Sequence, residues 1–149
     1  MDIYEPVLVS SIILSDLVIR EQGTNKISLI GCFNQFNASK FPFNAPPFYI
    51  TGSITNISGK VEGVINVTAI IEDPNSGHVF SSTPGRLQFT KDSPPIPNHM
   101  VFEIPFPVAP FAFNKAGIYS VKILFNNQEL GSRPLTVNQI KPRPQKPAQ

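Results

Sequence analysis

Charge is scarce in this 149-residue chain: Asp, Glu, Lys and Arg make up 15% of it, against about 25% in ordinary soluble domains. Tryptophan is absent, and there are only two histidines, three tyrosines and one cysteine. Each shortage excludes something. A single cysteine, Cys32, forbids an intramolecular disulfide. Its place between Gly31 and Phe33, in an apolar run, is that of a small buried hydrophobe. His78 and His99 lie far apart in sequence, so no zinc-ligand spacing exists. Ser81 and Ser82 near His78, and Asp92 near His99, sit in no nucleophile-elbow context. The glycines fall at turns and do not cluster ahead of a helix, so no phosphate cradle is visible. Glu72, Asp73 and Asn75 are the one cluster of oxygen ligands suited to Ca²⁺, but Asp73-Pro74-Asn75-Ser76-Gly77 already has a structural reason as a turn. Glu62, Glu103 and Glu129 read as polar faces of strands. No catalytic residue, cofactor or metal site is assigned, and the chain is expected not to be an enzyme.

The basic excess is local. The formal net charge is +2, but Lys141, Arg143 and Lys146 lie together near the C-terminus. Without them the 12 basic residues fall to nine, against ten acidic ones. A nearly neutral body lacks the basic face that nucleic-acid binding needs, so no nucleic acid is expected as a partner. The apolar stretch Val7–Leu14 is preceded by Asp2 and Glu5 and broken by Ser10 and Ser11. It is too short to span a bilayer and lacks the basic start of a signal peptide. The expectation is a cytoplasmic protein with no membrane span.

What the chain does have is proline, phenylalanine and β-branched residues. Sixteen prolines argue against long helices. Period-two alternation marks strands. Val7–Arg20 reads as a long first strand with a bulge near its serines. Gly23 and Asn25 suit a reversal into Lys26–Phe33. Asn34–Pro47 reads as a loop, and Phe48–Asn56 as a strand. Val61–Glu72 places Ile65, Val67, Ala69 and Ile71 on one face. Arg86–Thr90 reads as a short strand. Met100–Val108 alternates, with Pro105 and Pro107 on one side, so it belongs at a sheet edge. Tyr119, Val121, Ile123 and Phe125 share a face, Asn126-Asn127 fits a tight turn, and Leu130–Val137 closes the domain. About eight strands at this spacing predict an all-β fold, a two-sheet antiparallel β-sandwich. The domain runs over residues 1–138. Residues 139–149, rich in Pro and Lys, form a disordered tail.

Two groups of residues carry a resemblance. Gly117-Ile118-Tyr119-Ser120-Val121 resembles the corner before the sixth strand of immunoglobulin-like sandwiches, where a tyrosine hydrogen-bonds to the chain upstream. The wider layout adds Asp16-Leu17-Val18-Ile19, a polar turn, Ile27-Ser28-Leu29-Ile30-Gly31, a Phe-Pro loop, and a final hairpin at Asn126-Asn127-Gln128-Glu129-Leu130. This is similar to a family of small uncharacterised bacterial proteins, a domain of unknown function with an immunoglobulin-like β-sandwich. The resemblance implies a fold and brings no site residues.

Aromatic loops are the remaining unusual feature. Phe33, Phe36, Phe41, Phe43 and Phe48 surround one loop, and Phe102, Phe106, Phe111 and Phe113 another. Core packing accounts for such residues in general. Exposure of some of Phe41, Phe43, Phe111 and Phe113 would make an interaction surface. The functional expectation is a non-catalytic interaction or assembly module, with an unknown protein partner or self-association. The alternatives are a ligand-binding sandwich, for carbohydrate or a lipid surface, and an enzyme with an unrecognised site.

Overall fold

Apolar side chains at every second position, hidden from water on one side, build this fold. A computed structural model describes residues 4–8, 11–97 and 99–142. Twelve strands are present among them: β1 (Tyr4–Leu8), β2 (Ile13–Arg20), β3 (Ile27–Phe33), β4 (Gln35–Ala38), β5 (Phe43–Asn44), β6 (Phe48–Ile57), β7 (Gly63–Glu72), β8 (Val79–Phe89), β9 (Phe102–Val108), β10 (Ala112–Phe113), β11 (Gly117–Phe125) and β12 (Gln128–Gln139). The fold is an all-β sandwich of more than the eight strands expected, and no helix occurs among the described residues.

The first sheet is built on β6. One side of β6 pairs with β9, and the other pairs with β1 and then β2, which carries β3 beyond it. β1 and β2 are thus two parts of one interrupted strand, as the serines between them suggested. The second sheet has the order β4-β12-β11-β7-β8 and is mixed, because β4 runs parallel to β12. A wholly antiparallel sandwich is corrected on that point. β5 and β10 form a separate two-stranded ribbon.

The core lies between the two large sheets. Leu14, Ile50, Ile54 and Phe106 of the first sheet meet Val67, Ile71, Val121, Ile123 and Leu135 of the second. Gly52 permits the close approach, since a Cβ there would run into Ile123 Cδ1. Arg133 on β12 ties the sheets at one end: its Nη1 donates to the Ile12 carbonyl at 2.8 Å and its Nη2 to Asn34 Oδ1 at 2.5 Å. Asn126 and Asn127 take positive φ of 47° and 68°, making the two-residue β11–β12 hairpin that the sequence predicted. The tyrosine corner is also present, with Tyr119 Oη donating to the Lys115 carbonyl at 2.6 Å.

Two sequence readings are revised. Residues 34–47 contain β4 and β5 and are not a simple loop. β8 is an 11-residue strand starting at Val79, where only Arg86–Thr90 was expected. It is an edge strand, so Pro84 costs no ladder bond on its open side. β12 continues to Gln139, and the Ile140 amide donates to the Ala38 carbonyl at 2.9 Å. Most of the expected tail, from residue 143 on, lies outside the described residues.

Candidate functional site

The phenylalanines singled out from the sequence gather at one end of the sandwich. Phe113 is 0% exposed and belongs wholly to the core. Its ring lies 4.7 Å from both Phe111 and Tyr119 and stacks with Phe43 at 6.5 Å. As a surface residue Phe113 is therefore corrected: the β5–β10 ribbon folds it over the open end of the sandwich, where Phe36 also packs at 6.1 Å. Phe41, Phe43 and Phe111 are half-buried and pack against the same core. The cluster is an aromatic plug with a partly wet rim.

Polar chemistry is dispersed. His78 is exposed, with its ring edge-on to Phe80 at 4.7 Å, and His99 is exposed on a turn. Among the described residues no three of His, Cys, Asp and Glu gather in a way that could hold a metal ion. Of the candidate oxygen cluster, Glu72 is ion-paired with Lys122, and Asp73 Oδ1 accepts the Asn75 amide at 2.9 Å. That amide is the main reason the Asp73 carboxyl sits below its ordinary value. The Asp73 carbonyl also accepts the Gly77 amide, so this segment forms the turn its sequence encodes. Burial, and then the negative Asp73, push the Tyr119 phenol up.

The outer surfaces of the two sheets differ in how their exposed apolar side chains are set: Ile118 and Val64 of the second sheet stand apart among polar neighbours, those of the first sheet adjoin one another. Strand alternation assigns each residue to a face, and the buried partners fix which face is inner. On the outside of the second sheet, Lys122 pairs with Glu72. Asn138 Nδ2 donates to Gln35 Oε1 at 3.3 Å and Asn37 Oδ1 at 3.2 Å, so polar side chains bridge neighbouring strands. On the outside of the first sheet, the register lines up Pro107, Tyr49, Ser15 and Cys32 in one row and Pro105, Thr51 and Ile13 in the next. Leu17 then faces Ile30, and Ile19 faces Ser28. Among these positions and the adjoining Ser53 and Glu103, only Glu103 is charged. Leu17 is 54% exposed, Ile19 50% and Ile30 44%. Thr51, in the middle, is 4% exposed, and its Oγ1 is enclosed without a hydrogen-bond partner among the described residues.

This face was missed in the sequence, although a signal was there. Ile12-Ile13-Leu14 and Leu17-Val18-Ile19 put apolar side chains on both parities of one strand. A strand with one wet face alternates; a strand apolar on both sides has two surfaces to cover. Cys32 lies on this outer face and is exposed, which corrects its reading as a buried hydrophobe. The apolar run around it belongs to a hairpin that extends past the core.

Fold and surface together describe an all-β sandwich domain whose first sheet bears Leu17, Ile19 and Ile30 side by side on its outer face. The chain belongs to the family of unknown function DUF6941, whose family model matches residues 10–138. No curated protein matches the chain.

Proposed function

We propose that this protein is a non-catalytic interaction or assembly module that docks a protein through the outer face of the β9-β6-β2-β3 sheet. The observation that carries this reading is the exposure of Leu17, Ile19 and Ile30 side by side on a face with one charge at its margin. Water-facing apolar side chains that adjoin one another gain from a partner, whereas scattered ones do not. The half-buried Phe41, Phe43 and Phe111 lie at the plug and add a smaller apolar rim.

An immunoglobulin-like arrangement fits this reading. The order β12-β11-β7-β8 parallels the G-F-C-C′ sheet of variable-type domains, and Tyr119 stands where their corner tyrosine does. Such sandwiches commonly serve as binding scaffolds, an inference by analogy of fold alone.

Photo-crosslinking in cells that make the protein tests the proposal. A benzoylphenylalanine at Ile19 is expected to form protein adducts that one at Ser132, on the outside of the second sheet, does not. Adducts equal at the two positions, or none at Ile19, would overturn it.

A further inference from the structure

We infer that the plug end of the sandwich is a second, separate contact surface, and that it sits on a bilayer surface rich in anionic lipid. Three chain segments meet at this end. The Ile140 amide donates to the Ala38 carbonyl at 2.9 Å, which sets residues 139–142 beside the 39–47 segment. The Ala45 amide donates to the Phe111 carbonyl at 3.0 Å and β5 pairs with β10, which brings in residues 109–116. Each segment carries one exposed lysine, Lys40, Lys115 or Lys141, and none carries an acid. Asp73 reaches this end near Lys115, but its carboxylate is held by its own turn. The adjoining β2–β3 hairpin is balanced, with Arg20 and Lys26 against Asp16 and Glu21. At the opposite end, residues 58–62, 90–101 and 126–129 set Lys60 and Lys91 against Glu62, Asp92 and Glu129. The sandwich is therefore positive at the plug end alone, and Arg143 and Lys146 follow Lys141 in sequence.

The rest of the surface at this end selects the ligand. Beside the lysines stand exposed Pro42, Pro46, Ala109 and Pro110, with Phe41 and Phe111 half-buried among them. A nucleic acid or an acidic peptide pairs with lysine but gives such side chains little to gain. The headgroup region of a bilayer takes both: its anionic groups attract lysine, and its acyl boundary accepts apolar side chains. Lysine suits this place, because its charge stands on a long apolar stem. Attachment of this kind needs no membrane span, and no helix among the described residues is long and apolar enough to supply one. End-on contact leaves both outer sheet faces in water, so the protein-docking face stays open. Each lysine near such a surface strengthens partitioning about fivefold, the equivalent of about 1 kcal/mol.

Co-sedimentation of the full chain with vesicles tests this. Phosphatidylcholine vesicles containing about one third phosphatidylserine should bind it at low ionic strength and release it in about 0.5 M salt, and pure phosphatidylcholine should not bind it. Lys40→Gln, Lys115→Gln and Lys141→Gln together should lower binding roughly a hundredfold. Lys60→Gln with Lys91→Gln, at the other end, should leave it unchanged. A polarity-sensitive dye at Pro110→Cys, in a Cys32→Ser chain, should shift to the blue on the phosphatidylserine vesicles, and one at Pro95→Cys should not. Equal binding to both kinds of vesicle, or binding to neither, overturns the proposal. So does a triple variant that binds like wild type, which would leave the charges after residue 142 as the whole cause. Binding to single-stranded RNA without a dye shift on vesicles overturns lipid in favour of a nucleic acid.

Discussion

The two outer faces of this sandwich are made from the same backbone and arrange their exposed apolar side chains differently. The face of the second sheet holds Lys122 against Glu72 and an amide cluster of Asn138, Gln35 and Asn37, with Ile118 and Val64 set apart from each other. The face of the first sheet holds Pro105, Pro107, Ile13, Leu17, Ile19 and Ile30, with Glu103 at its border. A strand needs only one apolar face to join a core. On their outer parity β7 and β11 carry Val64 and Ile118, set among Asn66, Thr68, Ser120 and Lys122. On β2 Leu14 points into the core while Ile13, Leu17 and Ile19 point away from it with only Ser15 among them. Apolar side chains that do not hold the fold are available for contact.

The comparison breaks if the outer side chains are in fact structural. Leu135 is 0% exposed and Leu17 is 54% exposed, so one substitution at both places separates the two roles. Leu135→Ala is expected to cost about 2–5 kcal/mol in chemical denaturation. Leu17→Ala should stay within roughly 0.5 kcal/mol, as for a surface change. A loss at Leu17 approaching that at Leu135 would mean the hairpin is part of the core.

A smaller effect sits in the middle of the apolar face. The enclosed Thr51 hydroxyl has no partner among the described residues, and an unsatisfied buried hydroxyl destabilises. Thr51→Val keeps the shape and removes the hydroxyl, so stability should rise by about 1 kcal/mol. A fall in melting temperature would show that the hydroxyl has a partner in solution.

The smallest effect tests the polar face. The hydrogen bond that Lys122 donates to the Glu72 carboxylate holds its ammonium above the ordinary value of 10.5. A lysine raised on folding contributes stability that is complete below its unfolded value and fades as pH rises through the folded one. Wild type should therefore exceed Glu72→Gln slightly at neutral pH, with the gap closing above pH 10.5. The pair lies half-buried on the sheet's outer surface, and surface ion pairs contribute little, which keeps the gap small. A gap that widens with alkalinity would contradict the pairing.

Much of the fold was legible because β6, β7 and β11 are central strands. Each must bury one parity, and Ile50, Ile54, Val67, Ile71, Val121 and Ile123 show it directly. β8 was half hidden because its inner positions are filled by small residues, Ser81, Thr83 and Gly85. Phe106 explains why: a Cβ on Gly85 would come within 3.0 Å of its ring, so the opposite sheet fills that space. Such exchange of volume between sheets leaves no periodic trace in either strand. Phe113 was misjudged for a related reason. Its neighbours in sequence form a loop-like segment, and only the β5–β10 pairing carries its ring into the plug. The apolar face required knowing which parity of β2 the core uses, and a strand apolar on both sides withholds that.

Hydroxyl-radical footprinting of the chain in the cells that make it, compared with the purified chain at low concentration, tests the central claim most directly. Leu17, Ile19 and Ile30 should be less reactive in the cells, while Ile118 and Val64, comparably exposed elsewhere, react alike in both. Equal reactivity of Leu17, Ile19 and Ile30 in the two states, or protection centred on Ile118 and Val64, would contradict the assignment of the first sheet's outer face as the contact surface.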